Sequence, residues 1–349
     1  MDPFTHLLTG ACLARAGFNR KAAYATAAMV VAADLPDIDV LWGIGGPVAA
    51  FQHHRGWTHT FFGVPFEAAA VVGVAWLWHR WRSRPGKQPA APVRWMWLYV
   101  CALIALLSHL ALDWTNNYGL RPFFPFNPRW YAGSFVFIIE PVMLALLLMA
   151  FVAPALFGLI GSEVGVRRER FRGRGWAIVA LIGIAALWGW RALEQQKALQ
   201  LATTEDLGGA QVFRLWANPV PITPFKWHLV AETPEYYQTA EVDTLHGTVT
   251  TSPSEILYKP PTTAATLIAK RSWLGEVYLD WSQLPLVEEA GRSSDPDASA
   301  LTTVTFRDLR FMYDVAFLKG RNNAPLGGSV TIDANGRVVE MQMNGHVQR

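Results

Sequence analysis

The chain is 349 residues long, 52% hydrophobic and 16% charged, with a formal net charge of +3. Its charge content lies below the roughly 25% usual in soluble domains, and its length allows two domains, each able to bury a core without disulfides. The basic residues gather in short loops between apolar runs, so they report membrane orientation and give no nucleic-acid-binding face.

The opening MDPFTHLLTG has neither a basic n-region nor a small-residue cleavage site after an apolar stretch. A signal peptide is therefore not expected, and His6 should be retained. Phe4 to Ala16 and Ala22 to Ala33 are short, Ala-rich runs joined by Gly17-Phe18-Asn19-Arg20, which reads as a helix stop and a tight turn. At 1.5 Å per residue each reaches only about 20 Å, so this hairpin is expected to end partway through a bilayer. Cys12 and Cys101 lie inside apolar segments, where a thiol packs as a small hydrophobe.

Phe61 to Trp78, Trp95 to Asp113 and Phe135 to Ile160 approach or exceed the roughly 20 residues that cross a 30 Å hydrocarbon core. A fourth run, Trp176 to Leu193, is closed by the interfacial residues Trp188 and Trp190. Two loops carry the positive charge: Arg80, Arg82, Arg84, Lys87 and Arg94 in one, Arg167, Arg168, Arg170, Arg172 and Arg174 in the other. Both are expected in the cytoplasm by the positive-inside rule.

After residue 195 long apolar runs disappear and alternation takes over. Val212 to Trp216, Trp227 to Ala231, Trp273 to Leu279 and Thr302 to Phe306 read as strands, and Ser329 to Met343 as a hairpin turning at Asp333-Ala334-Asn335-Gly336. Asp295-Pro296-Asp297 reads as a loop, and His228 and His246 have no clustered acid partner in view. The expected architecture is a membrane α-helical bundle over 1–195, with about six membrane segments of which the first two are short. A soluble, mostly-β domain over 196–349 follows it, outside the cytoplasm.

Four motifs in the first half carry ligand-type side chains. They are Thr5-His6 with Gly10, Asp34-Leu35-Pro36-Asp37-Ile38-Asp39, His53-His54-Arg55-Gly56-Trp57-Thr58-His59, and His109 with Asp113 ahead of Asn116 and Asn117. Imidazole and carboxylate are the ligands a zinc-like divalent ion takes. His109 and Asp113 stand i, i+4, on one helical face. Each motif alone has an ordinary reading: His6 at an interface or cap, the Asp residues as a solvated turn, His109 and Asp113 as a hydrogen-bonded pair, one of His53 and His54 as a spare. Alternating segments, however, bring all four to the same, non-cytoplasmic end, and ionisable residues at membrane depth are costly unless they pair or bind something. A shared site follows.

In this order the motifs resemble those of the bacterial YdjM-like membrane-bound metal-dependent hydrolases over about residues 1–160, and more distantly those of zinc-dependent phospholipases C and related nucleases. The resemblance implicates His6, Asp37, Asp39, His54, Arg55, His59, His109 and Asp113, with Asp34 just outside the pattern; His6, Asp37, His54, His59, His109 and Asp113 are the expected metal ligands, and Asp39 and Arg55 the candidates for catalytic roles. Against the phospholipase pattern the further downstream His and Glu ligands are missing; Asn116, Asn117 and Glu140 are the nearby substitutes. Glu140 before Pro141 also suits a helix N-terminus.

The expected activity is metal-dependent hydrolysis of a lipid or lipid-linked substrate, phosphoesters included, at the outer face of a bacterial inner membrane. One or two divalent ions, zinc first, serve it; Asp39 accepts a proton, and Arg55 either neutralises a substrate anion or holds one of the Asp residues. Membrane lipid is the expected partner, and no protein partner is indicated. The alternatives are a non-enzymatic membrane protein with a structural polar cluster and a partner-binding β domain, and a small transporter with a proton relay. Too few long spans and no visible repeat weigh against the last.

Overall fold

The structure, a computed structural model, describes residues 1–82, 91–163, 171–205, 207, 209–252, 255–290, 301–312 and 325–348, with side chains at 160–163 left aside. Arg84, Lys87, Arg167, Arg168, Arg170 and Asp295-Pro296-Asp297 lie outside the described residues. The helices in chain order are α1 (Pro3–Ala16), α2 (Ala25–Asp34), α3 (Pro47–His53), α4 (Val64–Arg82), α5 (Trp95–Thr115), α6 (Pro141–Glu163), α7 (Arg174–Thr203), α8 (Ala264–Lys270) and α9 (Trp273–Trp281). They divide between two compact units, the first made of Met1–Ile38, Arg55–Leu193 and Pro221–Pro224.

In the first unit, α1 starts where Asp2 accepts a hydrogen bond from the Thr5 amide at 3.0 Å, with Pro3 at its first turn. It stops at Gly17. The approach of α1 to α2 is set by Gly10: a Cβ there would lie 2.5 Å from the Met29 carbonyl oxygen and 2.7 Å from Ala33 Cβ. Ala28, Met29, Ala32 and Ala33 of α2 form one buried core with Leu98, Cys101, Ala102, Ala105 and Leu106 of α5. Ala68 and Val71 of α4 join it. The small side chains let helix backbones come close, a packing mode that membranes favour because lipid offers no hydrophobic drive between helices.

Among the described residues, α5, α6 and α7 are long and apolar enough to cross a membrane, and a fourth span results if the bent stretch from Pro47 to Arg82 counts as one. The apolar run from Phe135 does not form helix from its start. Helix α6 begins only at Pro141, while Phe135 and Val136 donate their amides to the Thr115 carbonyl at 3.0 and 3.1 Å. Proline drives the preceding Glu140 out of the helical region and suits the first helical position, where its missing N–H costs nothing.

The second unit comprises Asp39–His54, Glu194–Val220 and Phe225–Arg349. It holds two five-stranded antiparallel sheets. One is β1 (Arg214–Pro219), β2 (Lys226–Glu232), β3 (Tyr236–Asp243) and β4 (Thr248–Thr250) in that order, with β5 (Ile256–Tyr258) also on β3. The other runs β10 (His346–Val347), β9 (Val338–Met343), β8 (Gly328–Ile332), β7 (Thr302–Asp308), β6 (Pro285–Glu289). The hairpin at Asp333–Gly336 forms as its sequence predicts, Gly336 supplying a φ of 78°.

Trp273 to Leu279, expected as a strand, is helix α9. Ser272 caps it by accepting from the Gly275 amide at 3.2 Å, and Leu274, Tyr278 and Trp281 fall on one buried face at helical spacing. The stretch 39–54 belongs to this unit through α3: Phe51 stacks edge-on to Trp281 at 5.0 Å, Gln52 accepts from the Trp273 indole at 2.9 Å, and Gln348 accepts from the Val48 amide at 2.9 Å. Composition along the chain does not reveal this inclusion.

Candidate metal centre

Within the first unit four side chains from three stretches of chain converge. Asp37 comes from the 3-10 segment Leu35–Gly45 after α2, His59 from the 3-10 turn Trp57–His59, and His109 and Asp113 from successive turns of α5. One donor atom of each lies within 4.8 Å of all the others. His59, His109 and Asp113 are fully buried. His59 Nε2 stands 3.1 Å from His109 Nε2, 3.4 Å from Asp37 Oδ1 and 3.4 Å from Asp113 Oδ2. His109 Nε2 is 3.7 Å from Asp37 Oδ1 and 3.5 Å from Asp113 Oδ2.

Hydrogen bonding on the far side decides what these atoms offer. His109 Nδ1 lies 2.7 Å from the Ala33 carbonyl, which can only accept, so Nδ1 carries the hydrogen and the neutral ring presents a bare lone pair at Nε2. His59 Nδ1 meets Thr58 Oγ1 at 3.1 Å. Asp113 Oδ1 is occupied by Arg55 at 2.8 Å and by the Met1 amino group, whereas Asp113 Oδ2 is buried without a hydrogen-bond partner among the described residues. Burial opposes ionisation of Asp37, yet the hydrogen bond with His59 and the neighbouring His109 hold its carboxyl below the usual carboxylate range.

Two imidazole nitrogens and two carboxylate oxygens thus face one another at a largely buried spot, with Asp37 a quarter exposed, an arrangement that a cation relieves. Edges of about 3.3 Å are those of a tetrahedron around zinc with bonds of 2.0–2.1 Å. The residues fit a divalent ion.

The other expected site residues fall around this group or apart from it. His6 is fully buried beside it, stacked on His109 with ring centroids 3.8 Å apart and Nε2 3.4 Å from Asp113 Oδ1. Neither of its ring nitrogens makes a hydrogen bond among the described residues. His54 and Asp39 lie in the second unit and pair with each other at 3.2 Å; neither is among the four converging donors. His53 stacks on Trp42 at 4.0 Å.

Arg55 is buried, with a left-handed backbone (φ 53°) that is unusual for a residue with a Cβ. Its guanidinium donates to Asp113 Oδ1 at 2.8 Å, the Gly119 carbonyl at 2.8 Å and Asn116 Oδ1 at 3.3 Å, so it holds Asp113 in place. Asn116 also accepts from the Tyr118 amide at 2.9 Å and shapes the turn after α5.

Glu140 is not mainly a helix cap. Its strong partner is Arg191 of α7 at 2.6 Å, both side chains fully buried, while the Val142 amide is 3.5 Å away. An arginine inside the last apolar run was the available sign of this pair. In the β-rich unit, His246 does have an acid partner, Asp243, at 3.0 Å in an exposed turn. His228 donates Nε2–H to the Leu309 carbonyl at 3.3 Å.

Apolar membrane-length helices, one of which carries two members of a largely buried His/Asp cluster, define a helical membrane protein with a group of residues that could hold a metal ion. The chain belongs to the YdjM inner membrane protein family, whose sequence pattern matches residues 1–198. It is similar to the uncharacterized protein YfhP of Bacillus subtilis (strain 168), 26% identical over 149 residues, which make up 40% of this chain and 42% of that relative. The chain thus spans less than half of that relative's length. No solved structure matches it.

Proposed function

We propose that this protein is a membrane-embedded metal-dependent hydrolase acting on a lipid or lipid-linked substrate, phosphoesters included, at the outer face of the inner membrane. The observation that carries the reading is the convergence of four potential ligand atoms from Asp37, His59, His109 and Asp113, with Asp113 Oδ2 lacking a hydrogen-bond partner among the described residues. These four would hold one ion, zinc first by donor type, and His6 adds a fifth donor, a third imidazole, beside them that a second ion would use. When bound, such an ion acts as a Lewis acid that makes water nucleophilic near neutral pH.

The chain's own groups do the rest. Ala33 and Thr58 orient the two imidazoles, and Arg55 holds the Asp113 carboxylate in place. Asp39, paired with His54, is the proposed proton acceptor. The basic loops support a topology of about six membrane segments, the first two short, with the C-terminal β-rich domain outside the cytoplasm.

Metal analysis of the detergent-purified protein, alongside a screen of lipid phosphoesters, tests this reading. About one bound ion per chain is expected in the wild type and none in a His59→Ala, His109→Ala double variant. Equal metal content in both would sink it. The buried Arg55–Asp113 pair and the His6–His109 stack favour a second reading, a structural polar cluster in a non-enzymatic protein whose β domain binds a partner. That reading requires a metal-free protein which loses stability, and nothing else, when the cluster is altered.

A further inference from the structure

We propose that the loop between Leu120 and Tyr131 is seated in the headgroup region of a phospholipid leaflet, with Phe123 and Phe126 turned into the top of the acyl layer. The inference is independent of any reaction at the metal centre.

Helix α4 starts and α5 ends at one end of the first unit, where the Phe61 amide donates to the Pro122 carbonyl at 2.8 Å. Leu120 and Tyr131 close the loop by exchanging amide-to-carbonyl hydrogen bonds, both 2.9 Å. Six exposed aromatic side chains gather there: Trp57, Phe61, Phe62, Phe66, Phe123 and Phe126, the last 81% exposed. They pack in pairs across the two segments, Phe61 against Phe123 with ring centroids 5.5 Å apart and Phe62 against Phe126 at 5.9 Å. Trp57 meets Phe62 at 6.4 Å and Phe124 at 5.0 Å. Rings that hold one another in place yet leave their outer sides uncovered form a patch that calls for a non-aqueous neighbour.

Charge identifies that neighbour as phospholipid. Between Asp113 and Glu140 the chain carries no acid and no lysine, only Arg121 and Arg129. The Arg121 guanidinium lies over the rings of Phe124 and Trp130, 5.1 and 4.7 Å from their centroids, and that of Arg129 over Tyr131 at 5.5 Å. Amphipathic rings sit at the headgroup level of a bilayer, and a guanidinium beside them suits phosphate.

The backbone agrees. A lipid layer offers few partners to N–H groups, and this loop presents few. Pro122, Pro125 and Pro128 have none, Phe124 and Asn127 donate theirs to the Arg121 and Phe123 carbonyls, and Arg129 donates to Asn127 Oδ1. The surface is also continuous with membrane-type helix: Phe66, 65% exposed, carries the patch onto α4, and α5, which leads into the loop, is long and apolar enough to cross a membrane.

Hydrogen bonds tie the loop to the His/Asp cluster. The Gly119 carbonyl accepts from Arg55, which holds Asp113, and Trp57 shares its 3-10 turn with His59. Seating the loop among headgroups therefore sets the depth of the cluster near the same level.

The test is electron paramagnetic resonance on the full chain in phosphatidylcholine–phosphatidylglycerol vesicles, with a nitroxide on Phe126→Cys in a Cys12→Ala, Cys101→Ala background. Collisions with oxygen, which concentrates in lipid, and with a polar nickel chelate, which stays in water, report immersion. The oxygen-to-nickel ratio should exceed that of the same label on Asn335→Cys, in the exposed hairpin turn, by about fivefold or more, because apolar surroundings exclude the chelate. A ratio equal to that of the Asn335 site would place the loop in water and overturn the proposal. Low collision with both reagents would also overturn it, since the loop would then lie against protein, a partner or a second copy. In the unmodified chain, a phospholipid bearing a diazirine on the first carbons of one acyl chain should label peptides covering 120–131. Their absence from the labelled set while α7 is labelled would overturn the proposal without any variant.

Discussion

His109 donates its Nδ1 hydrogen to the carbonyl of Ala33 at 2.7 Å, and Ala33 is the residue whose Cβ a side chain at Gly10 would strike. A contact between α1 and α2 is thereby coupled to the aim of a ligand on α5. Gly10→Val should push α2 away, tilt the His109 ring and weaken metal binding by about 10- to 100-fold, the usual cost of losing a group that orients a ligand. Chelator competition on the purified variant measures this, and wild-type affinity would show that the coupling is absent.

Arg55 and Asp113 form a buried pair in which one guanidinium also serves the Gly119 carbonyl and Asn116. Arg55→Met should lower stability by about 3–5 kcal/mol, because the buried Asp113 loses its guanidinium partner and keeps only the Met1 amino group on Oδ1. Arg55→Lys should recover only part of it, since an ammonium cannot span a fork of three acceptors. Thermal unfolding in detergent reads both. A loss of substrate affinity with unchanged stability would instead return Arg55 to the role of substrate anchor.

The proposed function makes Asp37 a ligand and Asp39 a base, and two variants separate these roles. Asp37→Asn should lose bound metal. Asp39→Asn should keep it and, once a substrate is found, lower kcat by about 10²- to 10⁴-fold, as removal of a general base does. Metal loss in the Asp39 variant would move that residue from base to ligand.

Glu140 and Arg191 are each other's charge partner between the start of α6 and the middle of α7. Replacing either by an apolar residue should cost about 3–5 kcal/mol, whereas Glu140→Leu with Arg191→Leu should restore most of the lost stability. A double-mutant cycle on melting temperature gives the coupling. Additive losses would show that the pair is not acting as a unit.

The β-rich unit should weaken in mild acid through His228. Burial pushes its imidazole down to about 4 from the ordinary 6.5, so in that window the unfolded chain binds the proton that the folded one refuses. Stability is complete above about pH 6.5 and falls as the pH drops towards 4, by on the order of 2 kcal/mol after allowance for the ring's partial exposure. His228→Gln should flatten this slope in pH-dependent unfolding of the domain, and an unchanged slope would assign it to other groups.

Much of this protein is legible along the chain because its determinants are local. Apolar runs of membrane length, Gly17 as a stop, Asn335-Gly336 as a turn and the i, i+4 spacing of His109 and Asp113 need only neighbours in sequence. Local pattern also misled: Trp273 to Leu279, with its Trp, Val and Tyr, has the composition of a strand, but the Ser272 cap and the buried stripe of Leu274, Tyr278 and Trp281 make it helix. The run from Phe135 reads as helix until Pro141 is allowed to decide where α6 begins.

Residue type and order, with the family resemblance they carry, nominate His6, Asp37, His54, His59, His109 and Asp113 as ligands, because imidazole and carboxylate suit such an ion. Tertiary structure decided which of them meet. Four donors from three stretches of chain come within 4.8 Å, while His54 and Asp39 pair with each other in the other unit. It also turned Arg55 onto Asp113 and joined Glu140 to Arg191 across 51 positions of chain. Such pairings depend on how close helices pack, which small residues like Gly10 permit but no local spacing encodes.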